Sequence, residues 1–217
     1  MNKYKAVIFD LDGTLIDSMQ IWRKVDAEFL GNRGIVVPED LFDHLPNGNS
    51  FIQTAQYFKD RFGLADSVES IMQEWTDMVT FHYEHDIALK PGVRELLQRL
   101  HDAEVKIGLG TSNSLFLAQK VLKLNGIWHY FDAAVTGEQV KLGKPFPDIY
   151  LGVAAKLGLA PETCLVIEDT LTGVQAGKAA GMHVIAIYDE DSKPLWDKIK
   201  AAADDFILNH AELWDLL

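Results

Sequence analysis

Residues 7–15 read VIFDLDGTL, and the interpretation of the whole sequence starts from this stretch. A short apolar run ends in two carboxylates, Asp10 and Asp12, and is followed by a glycine that lets the chain turn. Residues two apart in an extended chain point to the same side, so both carboxylates can reach one site. The pattern alone is equally typical of a strand end with solvated acids. The rest of the chain must therefore supply the chemistry.

A second pair of acids, Glu168 and Asp169, follows the apolar run 164–167. If both apolar runs are parallel strands, their carboxyl ends meet at one edge of the sheet and all four acids converge there. Four carboxylates at one edge would repel each other strongly unless a hard divalent cation were bound. Because Mg²⁺ prefers oxygen ligands and retained waters, the sequence predicts a Mg²⁺ site formed by these acids.

Two further segments supply groups that would bind an anion. Residues 109–113, LGTSN, place hydroxyls and backbone N–H groups at the start of a predicted helix, so Thr111, Ser112 and Asn113 are candidate phosphate-binding residues. Lys144 stands between a flexible glycine and a stiff proline, before another predicted helix; Lys141 is the alternative lysine. Acids, a cation, hydroxyls and a lysine together predict a site for phosphoryl transfer.

Short apolar runs alternate with longer amphipathic segments from about residue 88 to the end. The predicted strands are 6–9, 105–109, 133–136, 165–167 and 183–187, and the predicted helices between them are 115–124, 148–157 and 170–180. This alternation predicts an α/β fold, a Rossmann-like parallel sheet with helices on both faces. Residues 193–217 are predicted to be a helical region that covers the edge of the sheet.

The segment between the first strand and residue 88 has a different pattern. Helical periodicity covers 19–30, 51–62 and 68–83, with breaks that contain Gly, Pro and Asn, and no strand pattern is present. An all-helical insert after the first strand is expected to cap the carboxyl edge of the sheet, where ligands bind. We therefore predict a core domain of residues 1–16 and 88–217 and a helical cap domain of residues 17–87.

Composition and charge exclude several classes of protein. The 217 residues contain 20 Lys and Arg against 32 Asp and Glu, a net charge of −12, which disfavours binding to nucleic acid or to an anionic membrane surface. No apolar run approaches the roughly 18 residues of a membrane helix. The single cysteine, Cys164, cannot form an internal disulfide and fits a reducing compartment. We expect a cytoplasmic protein, monomeric, whose partner is a small molecule.

The four motifs together resemble the haloacid dehalogenase superfamily. They stand in order as residues 10–14 (DLDGT), Thr111, Lys144 within 144–148 (KPFPD), and the pair 168–169. Residues 173–181 (GVQAGKAAG) are also similar to the segment that follows the last acidic pair in this family. The insert after the first motif resembles the helical cap of the β-phosphoglucomutase-like branch.

The resemblance implies a role for each motif residue. Asp10 would be the nucleophile that forms an aspartyl-phosphate, and Asp12 would protonate the leaving oxygen and later deprotonate water. Mg²⁺ would be held by Asp10, the backbone carbonyl of Asp12 and Asp169, with Glu168 as a more distant or an additional ligand. Thr111 and Lys144 would bind the phosphoryl oxygens, and Lys144 would also pair with Asp10.

Asp12 narrows the reaction that the resemblance implies. An acid two residues after the nucleophile is needed where an alkoxide must leave, so a phosphatase or a sugar-phosphate mutase is implied. Mutases of this branch carry a His and an Arg in the cap. Trp22 and Phe51 stand at those positions, and neither pairs with a phosphate as Arg does. The sequence therefore favours a phosphatase, with a β-phosphoglucomutase-type mutase as the alternative.

The substrate is expected to be a small phosphorylated metabolite, either a sugar phosphate, a polyol phosphate or a nucleotide. Trp22, on the first cap helix, and Asn49, in the loop between cap helices, are candidate contacts to it. A catalytically idle binding protein on the same fold is a further alternative, since fold alone does not imply activity. The complete set of acids and the lysine disfavours that alternative.

Overall fold

The computed structural model describes residues 3–41 and 50–216, in which six parallel strands form one sheet. In the order β3-β2-β1-β4-β5-β6, the strands are Ala133–Thr136, Lys106–Thr111, Ala6–Phe9, Cys164–Glu168, His183–Ile187 and Asp205–Ile207. The first and fourth strands, β1 and β4, lie side by side at the centre of the sheet. The predicted parallel α/β fold is confirmed.

Alternate residues of each strand enter two separate cores. In β1, Val7 and Phe9 face one core, while Ala6 and Ile8 face the other. Helices α4 (Val93–Asp102) and α5 (Leu115–Leu124) cover the first face. Helices α6 (Asp148–Leu157), α7 (Leu171–Ala179) and α8 (Trp196–Ala202) cover the second. Both faces are buried, as the continuous apolar runs of the strands require.

Three helices form the inserted segment, namely α1 (Met19–Gly31), α2 (Phe51–Phe62) and α3 (Val68–His85). Helix α2 begins where Ser50 and Gln53 form a capping box, and it ends at Gly63 in the left-handed conformation. The buried faces of the three helices meet in a cluster of aromatic rings, in which Phe58 packs edge-to-face on Trp75 at 4.9 Å between ring centroids. The insert is therefore helical, as predicted.

The chain enters and leaves the insert through two adjacent backbone segments. Ile16 and Leu89 pair in an antiparallel bridge, and the N–H of Lys90 donates to the carbonyl of Leu15 at 3.0 Å. The predicted boundaries between the core domain and the cap domain, at residues 16/17 and 87/88, fall at these two segments. The division into two domains stays a prediction.

The carboxyl-terminal region differs from its prediction. Residues 193–217 were expected to be helical, but within the described part only α8 and two 3₁₀ turns are, and residues 205–207 form β6. Strand β6 pairs with β5 and is itself the edge of the sheet. The prediction failed because a three-residue edge strand with two exposed side chains has no readable alternation of apolar and polar residues. None of the described helices has both the length and the apolar character needed to span a membrane.

A buried acid on α1 makes the stability of the protein depend on pH. Burial raises the pKa of Asp26 from 3.8 to about 7. The folded state therefore binds this proton more tightly than the unfolded state, and stability falls as the pH rises from about 4 to about 7. We expect Asp26→Asn to raise the free energy of unfolding by about 1–3 kcal/mol at pH 8 and by much less at pH 4.

Urea denaturation at the two pH values measures this difference. Asp60→Asn, at an exposed position of α2, is the control and is expected to change the free energy little at either pH. An equal effect of Asp26→Asn at pH 4 and pH 8 would show that its titration is not the cause.

Candidate active site

The acids of the first and last motifs meet where β1 and β4 end. Phe9 is paired with Ile167 in the sheet, and the N–H of Asp10 donates to the carbonyl of Ile167 at 3.1 Å. This register places Asp10 beside Glu168 and Asp169. The three buried carboxylates each offer an oxygen, and these oxygens lie within 4.8 Å of one another. The structure thus brings together three of the four acids that were expected to converge, and the side chain of Asp12 is not among them.

Lys144 lies among these carboxylates. Its Nζ is 2.5 Å from Oδ1 of Asp10 and 2.5 Å from Oε1 of Glu168, and the side chain is 5% exposed. Burial lowers the pKa of Lys144, but the two ion pairs outweigh burial and raise the pKa above its ordinary value. Burial raises the pKa of Asp10 to about 7 even though the Lys144 charge opposes this rise. Lys141, the alternative lysine, is exposed.

Both oxygens of Glu168 are occupied by hydrogen bonds. Oε1 accepts from Lys144 and from the Tyr150 hydroxyl at 2.8 Å, and Oε2 accepts from the N–H and the hydroxyl of Thr170 at 3.0 and 2.9 Å. The helix that follows packs directly on this carboxylate, because a Cβ built on Gly173 would overlap it. These four donors favour a supporting position for Glu168 over direct contact with a metal ion.

Among the described residues, Asp169 accepts fewer hydrogen bonds than Glu168 does. The Thr14 hydroxyl donates to its Oδ1 at 2.9 Å, while Oδ2 has a long contact of 3.4 Å with the Ser192 hydroxyl. Gly13, at φ +83°, passes so close that a side chain there would overlap the carboxylate. Burial, together with the charges of Glu168 and Asp10, raises the pKa of Asp169 well above its ordinary value.

The charges of this cluster fit a divalent cation. Among the described residues, three carboxylates stand against one lysine, so two negative charges are left uncompensated in a buried site when the acids are ionised. A cavity of about 280 Å³, lined in part by Met19, Thr170 and Ser192, reaches Asp169. An all-oxygen donor set of this charge is suited to Mg²⁺.

Asp12 lies in a separate group of hydrogen-bond donors. Its Oδ1 accepts from the Ser18 hydroxyl at 2.6 Å, from Nε1 of Trp22 at 3.2 Å and from the Tyr83 hydroxyl at 3.3 Å. Its Oδ2 accepts from Nδ2 of Asn113 at 2.9 Å. The cap helices α1 and α3 therefore supply two of the donors to this acid.

The loop after β2 uses some of its donors internally. The N–H of Asn113 donates to the hydroxyl oxygen of Thr111 at 3.1 Å, and the N–H of Ser114 donates to Oδ1 of Asn113 at 2.8 Å. The Asn113 N–H, one of the backbone groups expected to bind an anion, is therefore already paired. The Thr111 side chain is 1% exposed at the end of β2, and its hydroxyl oxygen accepts here, which leaves its O–H hydrogen for a ligand.

The structure extends the set of site residues beyond the predicted one. Trp22, predicted as a substrate contact, lies against Asp12. Asn49 lies outside the described residues, so its predicted contact stays a prediction. Tyr83 and Tyr150 contact the site through their hydroxyls and were not among the candidates. Each lies on the buried face of its helix, and the sequence pattern there is that of an ordinary core residue.

The contact between α7 and Glu168 can be tested by adding one methyl group. We expect Gly173→Ala to lower the free energy of unfolding by about 2 kcal/mol or more, because the new Cβ must displace a carboxylate that holds four hydrogen bonds. Thermal denaturation measures the loss. Gly31→Ala is the control, since a Cβ there has no neighbour within 4 Å, and it is expected to be neutral or stabilising. Equal stability of the two variants would contradict this account of Gly173.

Comparison with known proteins places the chain in a family. The family model described as haloacid dehalogenase-like hydrolase matches residues 4–181. Hexitol phosphatase A of Escherichia coli (strain K12) is 34% identical over 212 residues, covering 96% of this chain and 92% of that protein. Fructose-1-phosphate phosphatase of the same strain is 31% identical, with coverage of 85% and 97%.

A solved structure shares nearly the whole architecture. The crystal structure of CbbY from Rhodobacter sphaeroides in complex with phosphate has a TM-score of 0.86 and 25% sequence identity, and the match covers 97% of this chain and 96% of that one. The resemblance inferred from the four motifs and the prediction of a hydrolase are confirmed. This chain belongs to the haloacid dehalogenase-like hydrolase family.

Proposed function

We propose that this protein is a Mg²⁺-dependent phosphatase that hydrolyses a small phosphorylated sugar or sugar alcohol through an aspartyl-phosphate intermediate. The proposal rests on one observation: in the buried cluster of charges, Lys144 Nζ lies 2.5 Å from Oδ1 of Asp10. Asp10 thereby has a fixed position, a compensating cation and two neighbouring acids. These are the requirements for a carboxylate that must attack an anionic phosphate.

The metal ion would be held by Asp10, Asp169 and the backbone carbonyl of Asp12. Glu168 would instead hold Lys144 in place through their ion pair. Bound Mg²⁺ would supply positive charge that offsets the repulsion between the nucleophile and the phosphate. Lys144 adds a second positive charge beside Asp10, at its Oδ1. The Thr111 hydroxyl, with Ser112 beside it, would donate to the phosphoryl oxygens as charge builds up on them.

Asp12 would exchange protons at the leaving oxygen. Its Oδ1 accepts three hydrogen bonds, whereas among the described residues its Oδ2 accepts one, from Asn113. Each carboxylate oxygen has about two acceptor sites, which the three donors on Oδ1 must share, so the remaining capacity for a substrate oxygen or a water lies on Oδ2. In the first step Asp12 would protonate the leaving alkoxide, and in the second it would take a proton from the water that attacks the aspartyl-phosphate.

The class of substrate is proposed from the relatives and from the closed site. The two curated relatives are named as phosphatases of a hexitol phosphate and of fructose 1-phosphate. The cap lies on the core here, since a Cβ built on Gly137, after β3, would lie 3.1 Å from the Ser50 side chain of the cap. A site closed in this way suits a small monoester. The cytoplasmic location and the monomeric state stay predictions.

The mutase alternative is disfavoured by the residues at the two cap positions. Trp22 donates its indole N–H to Asp12 and packs edge-to-face on Phe51 at 5.8 Å between ring centroids. Phe51 is buried and apolar. Neither side chain supplies the positive charge with which a mutase would hold a second phosphate.

Phosphate release from a panel of sugar and hexitol phosphates tests the proposed function. We expect turnover with Mg²⁺ on at least one monoester, and a loss of about 10³-fold or more in the Asp10→Asn variant, which removes the nucleophile with little change in shape. The panel includes β-glucose 1-phosphate with catalytic glucose 1,6-bisphosphate. Formation of glucose 6-phosphate without free phosphate would establish the mutase instead. Persistent turnover in folded Asp10→Asn would refute the role of Asp10.

The role of Asp12 predicts a dependence on the leaving group. We expect Asp12→Ala to lower kcat/KM on a sugar phosphate by about 10²–10⁴-fold, because an alkoxide leaves poorly without a proton. The loss in kcat/KM on p-nitrophenyl phosphate is expected to be much smaller, since nitrophenolate leaves unaided and kcat/KM does not include the later hydrolysis of the aspartyl-phosphate, which both esters share. Steady-state kinetics on the two esters measures both losses. Losses of the same size would argue against proton transfer by Asp12.

A further inference from the structure

Two side-chain donors of the cap, the half-buried Trp22 and the buried Tyr83, converge on one oxygen of Asp12. Trp22 on α1 and Tyr83 on α3 lie 61 residues apart in the sequence, and both donate to Oδ1. The third donor to this oxygen, Ser18, precedes α1. The core supplies only Asn113, on the other oxygen, among the described donors. The position of this carboxylate is therefore set largely by the inserted helices.

The hydroxyl of Tyr83 has a defined orientation. Oδ1 of Asn113 accepts from the Ser114 N–H, so Nδ2 of the same amide faces Asp12 and Tyr83. One amide hydrogen is donated to Asp12 at 2.9 Å and the other to the Tyr83 oxygen at 3.1 Å. Since that oxygen accepts from the amide, the phenolic hydrogen is left for Asp12. Tyr83 is 2% exposed, and solvent offers no competing acceptor.

The indole N–H of Trp22 can only donate. Its Nε1 lies 3.2 Å from Oδ1 of Asp12, and the Tyr83 oxygen lies 3.3 Å from the same atom. Both groups therefore present a hydrogen to one oxygen of this carboxylate.

We propose, on the basis of the phosphatase function proposed above, that Tyr83 and Trp22 are positioning residues that hold Oδ1 of Asp12 and leave Oδ2 directed to the leaving oxygen. Together with Ser18 and Asn113, the two donors restrain the rotation of the carboxylate about its Cβ–Cγ bond. Without them only one donor would remain on each oxygen, and the carboxylate would be held less firmly. This positioning would affect the proton transfer by Asp12 and not the attack of Asp10 on the phosphate.

The variants Tyr83→Phe and Trp22→Phe remove one donor each and keep an aromatic ring in the cap core. We expect either change to lower kcat/KM on a sugar or hexitol phosphate by about tenfold, with KM changed less than about twofold. On p-nitrophenyl phosphate, kcat/KM is expected to fall by less than about threefold. Tyr57→Phe is the matched control, since its hydroxyl donates to the Leu41 carbonyl within the cap at 2.6 Å.

A double-mutant cycle separates positioning from a general effect on the fold. If Tyr83 acts through Asp12, the variant that carries both Asp12→Ala and Tyr83→Phe should be as active as Asp12→Ala alone, within about twofold. A further tenfold loss in the double variant would overturn the inference, as would equal losses on the two esters in Tyr83→Phe. Absence of turnover in the wild-type chain on every ester would refute the proposed function, and the inference with it. An active wild type with fully active Tyr83→Phe and Trp22→Phe would refute the inference alone.

Discussion

The site depends on one buried ammonium group that is shared between two carboxylates. Lys144 contacts Asp10 and Glu168 at the same distance, and Asp169 adds a third acid that forms no ion pair with a lysine in the part of the chain that the structure describes. Carboxylates removed from water are costly unless they are paired, so the edge of the sheet tolerates this density of acids only around such a cation. The remaining negative charge is what makes the same edge suited to a divalent ion. The same cluster of charges thus allows the acids to be buried together and makes the site suited to a divalent ion.

Close packing gives these charges their fixed geometry. Gly13 and Gly173 pass so near to Asp169 and Glu168 that a single methyl group at either position would overlap a carboxylate. Tyr150 and Thr170 complete the hydrogen bonds of Glu168 from a helix and from the turn before another. A reacting group that is held by packed neighbours loses little free energy to reorganisation when charge moves, and this is the basis of electrostatic catalysis.

Most of the core could be read from the sequence, because its strands are short apolar runs and its acids follow them directly. The bounds of β1, β3 and β5 agree with the prediction at every residue. The sequence did not reveal Tyr83, because it continues the buried stripe of Ile71, Trp75 and Val79 on α3 and has the spacing of a core residue. Tyr150 is hidden in the same way among the buried residues of α6. A hydroxyl at the end of an apolar stripe becomes functional only through a neighbour that is distant in the chain, and one sequence cannot show such a neighbour.

Two backbone segments join the insert to the core and pair with each other at Ile16 and Leu89. This pairing has a consequence for how proteins of this architecture diversify. Because the two ends of the insert are already hydrogen-bonded neighbours, the intervening segment closes a loop whose entropic cost grows only slowly with its length. Segments of different size and origin could therefore be grafted at this point without moving Asp10, the proposed nucleophile. A graft would nevertheless leave Asp12, the proposed acid–base residue, without the Trp22 and Tyr83 donors unless it carried its own. Exchange of the insert would thus alter which alcohols leave efficiently, while the ability to take up a phosphoryl group would be inherited unchanged.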